Sequence, residues 1–426
     1  MKNQSPKVAF YTLGCKLNQS ETESLADKLR GAGYQIVAPG DVADIYVANT
    51  CTVTHVADRK SRHWLRMVRR RNPQAFIIAT GCYAQRVPRE LVPLADVVLG
   101  NEEKLRLPQI VGQKFGPVVG SCVADVSQPP CSEGVVRKRT MIKIQDGCRY
   151  SCAYCIVPYV RPHEYSLPVS EIIEKIKTKE AKGCKEVVLT GATVGRYNHD
   201  GAGIRVLLER ILENTHIERL RLSSLQPQEL SDELLSLWQD KRLCRHFHLA
   251  LQSGSGTVLR RMKRCYSPAD YRAAAQRIQQ AVPGVAITTD VIVGFPGESD
   301  EEFEESHDFC RQIGLADIHV FPFSPRKGTL AADMDGQSKD SVKKKRGQRM
   351  LKLADEARQT FYRQFLGHTL PVLWERKTRL HNGIYSGLTD NYIRVYVQGD
   401  ASMVNMVMPV RLKGVCSNGM QGEPVL

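Results

Sequence analysis

Gly147-Cys148-Arg149-Tyr150-Ser151-Cys152-Ala153-Tyr154-Cys155 packs three cysteines at C-x3-C-x2-C spacing into one loop. It follows Met141-Ile142-Lys143-Ile144-Gln145, a short run with strand character, which puts the loop at a strand's carboxyl end. Three thiolates this close can hold three corners of a cubane cluster, whereas ordinary iron–sulfur ligation takes four. The next cysteine, Cys184, lies beyond a predicted helix, so one iron is left for a ligand that is not protein. Two other readings of the loop stand beside this one. It fits a zinc site closed by His163, or a surface loop with three idle thiols.

Outside the loop, 426 residues suffice for two or three domains with their own cores. With 42% hydrophobic and 25% charged residues the chain is of ordinary globular composition. No apolar run reaches the length of a membrane span, and Met1-Lys2-Asn3-Gln4 lacks an apolar signal core. Thirteen cysteines without a secretion signal point to a reducing cytoplasm and away from a disulfide scaffold. A formal net charge of +15 points to a polyanionic partner, nucleic acid first.

Upstream, residues 8–11, 44–48 and 75–79 read as strands, each followed by a helical stretch such as 21–30 or 57–70. Alternating units of this kind imply a parallel sheet, with ligands outside the carboxyl ends of its strands. The three strands end at Gly14-Cys15, Asn49-Thr50-Cys51 and Thr80-Gly81-Cys82. Three cysteines at matching strand ends predict a second three-thiolate cluster. The helix after Cys51 carries Arg59, Arg62, Arg66, Arg69 and Arg70 opposite an apolar face of Ala57, Ser61, Trp64, Leu65 and Val68. Uniform sign in a basic chain makes this stripe a candidate phosphate-binding surface.

Residues 116–138 read as a linker, in which Cys122 and Cys131 have no partner spacing. Strands are then expected at residues 141–145, 186–190, 219–223, 247–251, 286–293 and 317–323, with helices such as 169–182 and 300–312 between them. Six such units suggest a partial (β/α)6 barrel with its chemistry at the carboxyl-end face. A basic helix over residues 339–366 contains Lys343-Lys344-Lys345-Arg346, a second candidate RNA contact. Alternating residues around Leu370–Trp374 and 392–397, separated by turns at His381-Asn382-Gly383 and Thr389-Asp390-Asn391, predict a small antiparallel barrel. The expected fold class is α/β, with domains over residues 1–115, 139–366 and 367–426.

The cysteine loop, with an aromatic before its last cysteine, resembles the signature of radical S-adenosylmethionine (radical SAM) enzymes. Across nearly the whole chain the pattern is similar to the radical SAM methylthiotransferases. Those enzymes join an N-terminal three-cysteine domain, a radical SAM partial barrel and a C-terminal TRAM barrel. Thr12-Leu13-Gly14-Cys15-Lys16-Leu17-Asn18-Gln19, Asn49-Thr50-Cys51-Thr52-Val53-Thr54, Ala57-Asp58-Arg59-Lys60-Ser61-Arg62 and Thr80-Gly81-Cys82-Tyr83-Ala84-Gln85 resemble the MtaB branch. That branch acts on threonylcarbamoyladenosine beside the tRNA anticodon. Sister branches act on isopentenyladenosine in tRNA or on a ribosomal-protein residue.

The resemblance implies two 4Fe–4S clusters, one on Cys148, Cys152 and Cys155 and an auxiliary one on Cys15, Cys51 and Cys82. It implies S-adenosylmethionine contacts by Tyr154, Thr190, Gly191, Gln252, Ser253, Asp290 and Gly294. The basic stripe and run make Arg59, Arg62, Arg66, Arg69, Lys343 and Lys344 the candidate tRNA contacts, and the resemblance implies no side-chain acid or base in the reaction. The tRNA anticodon loop and a flavodoxin-like electron donor are the implied partners, and no membrane is. The chain departs from the family pattern at Pro162 and Tyr165, where Arg-Gly-x-x-Arg-Ser is usual. It departs also at Thr193, Gln226 and Gly256, where asparagine, glutamate and aspartate are usual.

Overall fold

The structure, a computed structural model, describes residues 5–116, 139–377 and 383–425. The expected linker with Cys122 and Cys131, and the turn residues His381 and Asn382, lie outside the described residues. Contacts divide the chain into two compact units. The first comprises Met1–Val136, Gly147–Tyr150 and Cys155–Glu164, and the second Arg137–Asp146, Ser151–Tyr154 and Tyr165–Leu426.

In the first unit, β1 (Lys7–Thr12), α1 (Lys16–Gly31), β2 (Gln35–Val37), β3 (Ile45–Thr50), α2 (His55–Arg71), β4 (Phe76–Gly81), α3 (Cys82–Arg86) and β5 (Val97–Leu99) follow in order. The strands form one parallel sheet in the order β2-β1-β3-β4-β5. All six residues of β3 are buried, as a central strand covered on both faces requires. Trp64, Leu65 and Val68 of α2 close one core with Tyr46, Ala48 and Ile77. Leu25 and Leu29 of α1 close the other with Val8, Ile45 and Val47. α2 begins where the Thr54 side chain accepts a hydrogen bond from the Ala57 amide. The helix predicted over 21–30 begins five residues earlier, directly after Cys15.

The second unit contains a parallel array of six strand–helix units. Arg219–Leu222, Glu186–Thr190 and Arg139–Lys143 form one sheet, and Ser224–Leu225, His246–Leu249, Ala286–Val293 and Asp317–Pro322 the next. The two sheets meet at Ser223, where one strand leaves its first partner and takes up the second. The run predicted over 141–145 is also split. Arg139–Lys143 pairs with Glu186–Thr190, while Gln145–Asp146 turns aside to pair antiparallel with Tyr165–Ser166. That short pair closes the base of the cysteine loop. Beyond the helix Asp340–Arg363, five strands form a closed barrel around Val372, Trp374, Ile393, Val395, Val410, Leu412 and Met420.

This small barrel packs its backbone against charged residues of the larger one. Arg219 donates to the carbonyls of Leu388 (2.7 Å) and Pro371 (2.6 Å), and Arg221 to that of Asp390 (2.9 Å). Tyr392 stacks on His246 with ring centroids 4.2 Å apart. Beneath these contacts Glu186, fully buried, receives Arg221 at 2.9 Å, with Arg219 at 3.7 Å and Arg139 at 3.9 Å. Glu186 thus offsets part of the arginine charge inside the second unit, the carbonyls above take further N–H groups, and Arg139 also meets Glu375 at 3.4 Å.

Candidate metal centres

Register brings the first three cysteines together. Thr12 lies opposite Asn49, Asn49 opposite Thr80, and Thr50 opposite Gly81, so the chains leaving β1, β3 and β4 emerge side by side. Cys15 caps α1, Cys51 follows β3 and Cys82 opens α3. Two glycines permit this approach. Gly14 has φ +99°, and a Cβ there would lie 2.7 Å from the Cys51 Cβ and 2.8 Å from its sulfur. Gly81 has φ +98°, and a Cβ there would collide with the Thr50 carbonyl oxygen.

Cys51 and Cys82 are buried, while Cys15 is exposed. Burial pushes the Cys51 thiol up to about 12, and the nearby Cys82 and Cys15 thiols add to the rise. The Cys15 thiol, though its surface is exposed, is raised as well by the protein around it, with Cys82 next in effect. Thiols that oppose one another's ionisation become thiolates together more readily beside a cationic group. Three cysteines converging from neighbouring strand ends suit a cluster with one corner left open.

A buried polar network braces this triad. Asn18 donates to the carbonyls of Leu13 (2.8 Å), two residues before Cys15, and Thr50 (3.1 Å), the residue before Cys51. Its side-chain oxygen accepts from Arg161 at 3.0 Å. Arg161 also forks onto Glu21, at 2.8 and 2.9 Å, and Lys104 meets the same carboxylate at 2.5 Å. Asn101 donates to the Val160 carbonyl at 2.7 Å and reaches the Cys82 sulfur at 3.6 Å.

The cysteine loop is held at several points. Within the first unit, Cys148 is buried and the Val157 amide reaches the Cys155 sulfur at 3.4 Å. Within the second, the Ala153 amide donates to the Met262 carbonyl (3.0 Å), and the Ala153 carbonyl accepts from Ala331 (2.7 Å). Arg264 donates to the Cys152 sulfur at 3.1 Å, to Gln226 Oε1 at 2.9 Å and to the Tyr266 hydroxyl at 2.9 Å. A charged donor on sulfur suits a thiolate and not an idle thiol. His163, the candidate zinc ligand, is exposed and pairs with Glu102 at 3.1 Å.

Tyr154 packs beside the Ala153 cluster of Val258, Met262, Phe295 and Phe323. Thr190 is buried at its strand end, and Gly191 lies against Gln145, whose Oε1 accepts from the Thr193 amide at 2.9 Å. Gln252 adopts φ +70° and exchanges backbone hydrogen bonds with Asp290 and Ile292. Ser253 is fully buried, with its hydroxyl 3.2 Å from the Ser255 amide. Gly294 lies against the Lys343 stem, and its amide donates to Glu298 at 2.6 Å. Asp290 accepts from His248 and His319. Gly256 opens the helix Gly256–Arg261.

The basic stripe is less free than its sequence suggests. Arg62 bonds Tyr83 and Glu90, and Arg69 bonds Asp96 at 2.7 Å and the Pro73 and Ala75 carbonyls. Arg59, Arg66 and Arg70 are exposed with no ion-pair or hydrogen-bond partner among the described residues. Of the later run, Lys344 and Lys345 are exposed, Lys343 pairs with Asp340 at 3.1 Å, and Arg346 is buried on Glu298 at 2.7 Å. Sequence reasoning passed over Arg264, Arg161 and Glu21. The only signal for Arg264 was its place in Met262-Lys263-Arg264-Cys265-Tyr266, just after the Gln252-to-Gly256 turn.

The chain is similar to known proteins over most of its length. Residues 142–310 match the Radical SAM superfamily, and residues 7–100 match the family described as Uncharacterized protein family UPF0004. The threonylcarbamoyladenosine tRNA methylthiotransferase MtaB of Bacillus subtilis is 35% identical over 422 residues, covering 95% of this chain and 93% of that protein. Its counterpart from Aquifex aeolicus is 39% identical over 407 residues, 92% of this chain and 97% of that one. A tRNA-2-methylthio-N(6)-dimethylallyladenosine synthase from Syntrophotalea carbinolica is 32% identical over 436 residues, covering 98% and 100%. Among solved structures, the radical S-adenosylmethionine methyltransferase TsrM from Kitasatospora setae superposes with TM-score 0.57 at 14% identity, covering 77% of each chain. The radical SAM enzyme OxsB superposes at 0.53 and 12% identity, covering 81% of this chain and 55% of that one. The family brings with it a 4Fe–4S cluster and S-adenosylmethionine, and among the described residues no helix is long and apolar enough to cross a membrane. The chain belongs to the radical SAM tRNA methylthiotransferases.

Proposed function

We propose that this enzyme converts threonylcarbamoyladenosine at tRNA position 37 to its 2-methylthio derivative, using two 4Fe–4S clusters. One cluster sits on Cys148, Cys152 and Cys155, and the auxiliary one on Cys15, Cys51 and Cys82. The observation that carries the reading is the in-register meeting of Cys15, Cys51 and Cys82 around Gly14 and Gly81. The substrate rests on the MtaB-like motifs and on the MtaB relatives at 34–39% identity over most of the chain. Bound there, the cofactors supply what no side chain can, removal of hydrogen from an unactivated aromatic carbon and delivery of a methylthio group.

The protein's own residues hold and shield. Arg264 orients Cys152 and Gln226 together, and Asn18 ties the turns before Cys15 and Cys51. Arg161 and Lys104 place cationic groups near the auxiliary thiols, balanced by Glu21. Arg59, Arg66, Arg70, Lys344 and a C-terminal barrel of TRAM type meet tRNA phosphates. Adenine 37 must leave the anticodon stack to reach the clusters, so unstacking of the loop belongs to the reaction. A flavodoxin-like protein in the cytoplasm supplies the electrons.

Mass spectrometry of tRNA nucleosides from a strain lacking the gene tests this. The 2-methylthio form of threonylcarbamoyladenosine should vanish and return on complementation. Loss of the isopentenyladenosine derivative instead, or of a ribosomal-protein modification, would assign the enzyme to a sister branch.

A further inference from the structure

The charged network beside Cys15, Cys51 and Cys82 is larger than bracing their turns requires. Asn18 alone ties the turns before Cys15 and Cys51, through its side-chain amide. Glu21 lies one turn further along α1 and gathers two cations on one carboxylate, Arg161 at 2.8 and 2.9 Å and Lys104 at 2.5 Å. All three side chains are buried, with Lys104 3%, Arg161 4% and Glu21 6% exposed. Lysine is almost never so buried unless paired, and taking its ammonium out of water is costly. A buried ion pair is seldom more stabilising than apolar residues of the same volume. Stability is therefore a poor reason for a lysine and a glutamate here.

Their position supplies a better one. Lys104 stands on the short turn Glu103–Arg106, three residues after Asn101, whose side-chain amide reaches the Cys82 sulfur at 3.6 Å. Asn101 also donates to the Val160 carbonyl at 2.7 Å, and Val160 packs with Cys82 and Ile156 in one apolar cluster. Arg161 follows directly and donates to Asn18 Oδ1 at 3.0 Å, so the guanidinium and the Cys15 turn share one side chain. The charges and the sulfurs feel one another. Burial raises the Cys15 thiol first, and beyond that Arg161 favours its thiolate while Glu21 opposes it. Burial pulls the Lys104 ammonium down, while Glu21 and Cys82 favour it.

Buried charges are screened far less than exposed ones, by water or by salt. An iron–sulfur cluster becomes more negative when it is reduced. Positive charge beside it favours the reduced form and negative charge the oxidised form, and burial strengthens both effects. We propose that Lys104 and Glu21 set the reduction potential of the auxiliary cluster, Lys104 raising it and Glu21 lowering it. This rests on the two-cluster reading above. Glu21 also fixes the Lys104 ammonium in place, so the field at the sulfurs is built into the fold.

The test uses the full chain carrying Cys148→Ala, Cys152→Ala and Cys155→Ala, reconstituted with iron and sulfide so that only the auxiliary cluster remains. Its midpoint potential is read by anaerobic redox titration followed by electron paramagnetic resonance. Lys104→Met, uncharged and of similar length, should shift the equilibrium about tenfold toward the oxidised form, about 59 mV lower for one electron. Glu21→Gln should shift it upward, measured on the cluster it retains. A merely structural role predicts lost iron and a lower Tm without shifts of opposite sign. Potentials equal to the parent's, or shifts of one sign, overturn the proposal. If Lys104→Met binds no iron, the Glu21→Gln shift decides: upward supports the proposal, and any other result overturns it. If the parent itself binds no iron, the auxiliary cluster falls and the proposal with it.

Discussion

Glu186→Gln is the change with the largest worked consequence for the fold. The carboxylate is fully buried and faces Arg221 at 2.9 and 3.3 Å, Arg219 at 3.7 Å and Arg139 at 3.9 Å. Glutamine keeps the shape and one acceptor but removes the charge. Arg219 and Arg221 are themselves buried, so the change leaves cations uncompensated at low dielectric. Removing one partner of such a pair costs about 3–5 kcal/mol. At roughly 2–4 °C per kcal/mol for a unit of this size, the apparent Tm should fall by about 6–20 °C. Burial alone would raise the Glu186 carboxyl, but the arginines, Arg221 foremost, hold it below its ordinary value. A depressed carboxyl stabilises above its unfolded pKa and loses that contribution as pH falls through the folded value. The gap between wild type and Glu186→Gln should therefore narrow in acid. Thermal unfolding followed by tryptophan fluorescence across pH reads both effects. A Tm within about 1 °C of wild type at neutral pH would refute the electrostatic account. So would a gap that widens in acid.

Ending the chain at Gly367 removes the backbone acceptors of Arg219 and Arg221, so the truncated protein should unfold at lower temperature as well as bind tRNA weakly, read by the same melts and by filter binding. Arg59, Arg66 and Arg70 reversed together to glutamate should leave Tm unchanged and lower the salt slope of tRNA binding by about 2–3, measured from 50 to 200 mM salt. Reversing Arg62 and Arg69 should instead cost stability, because both are bonded within the domain. Glu21→Gln should free Arg161 and Lys104 from their shared carboxylate and lower the iron retained by the first unit, read by iron analysis after reconstitution.

Much of the framework was legible because it rests on local periodicity. Glu186–Thr190, Ala286–Val293 and Asp300–Gln312 appear with the bounds that their apolar alternation or helical stripe implied. The convergence of Cys15, Cys51 and Cys82 was legible because strand ends in a parallel sheet fall at one level, and that of Cys148, Cys152 and Cys155 because they share one short loop. The interior of the barrel was not. Nothing in the sequence links Arg139, Glu186, Arg219, Arg221 and His246, and only the strand register and the packing of the small barrel show them paired. The Arg62 and Arg69 pairings were hidden for the same reason, since Glu90 and Asp96 lie 28 and 27 residues away. Spacing on one helix reveals which charges share a face, and not which of them the domain has already neutralised.

The central claim is a division of labour between two cysteine triads. Its most direct measurement pairs two products in one reaction, 5′-deoxyadenosine and the 2-methylthio nucleoside. The substrate is a threonylcarbamoyladenosine stem-loop, with S-adenosylmethionine and a reductant. Wild type should form both products. The Cys15→Ala, Cys51→Ala and Cys82→Ala triple variant should keep about half the iron and still form 5′-deoxyadenosine, with no methylthio product. A triple variant that methylthiolates at the wild-type rate would contradict the account.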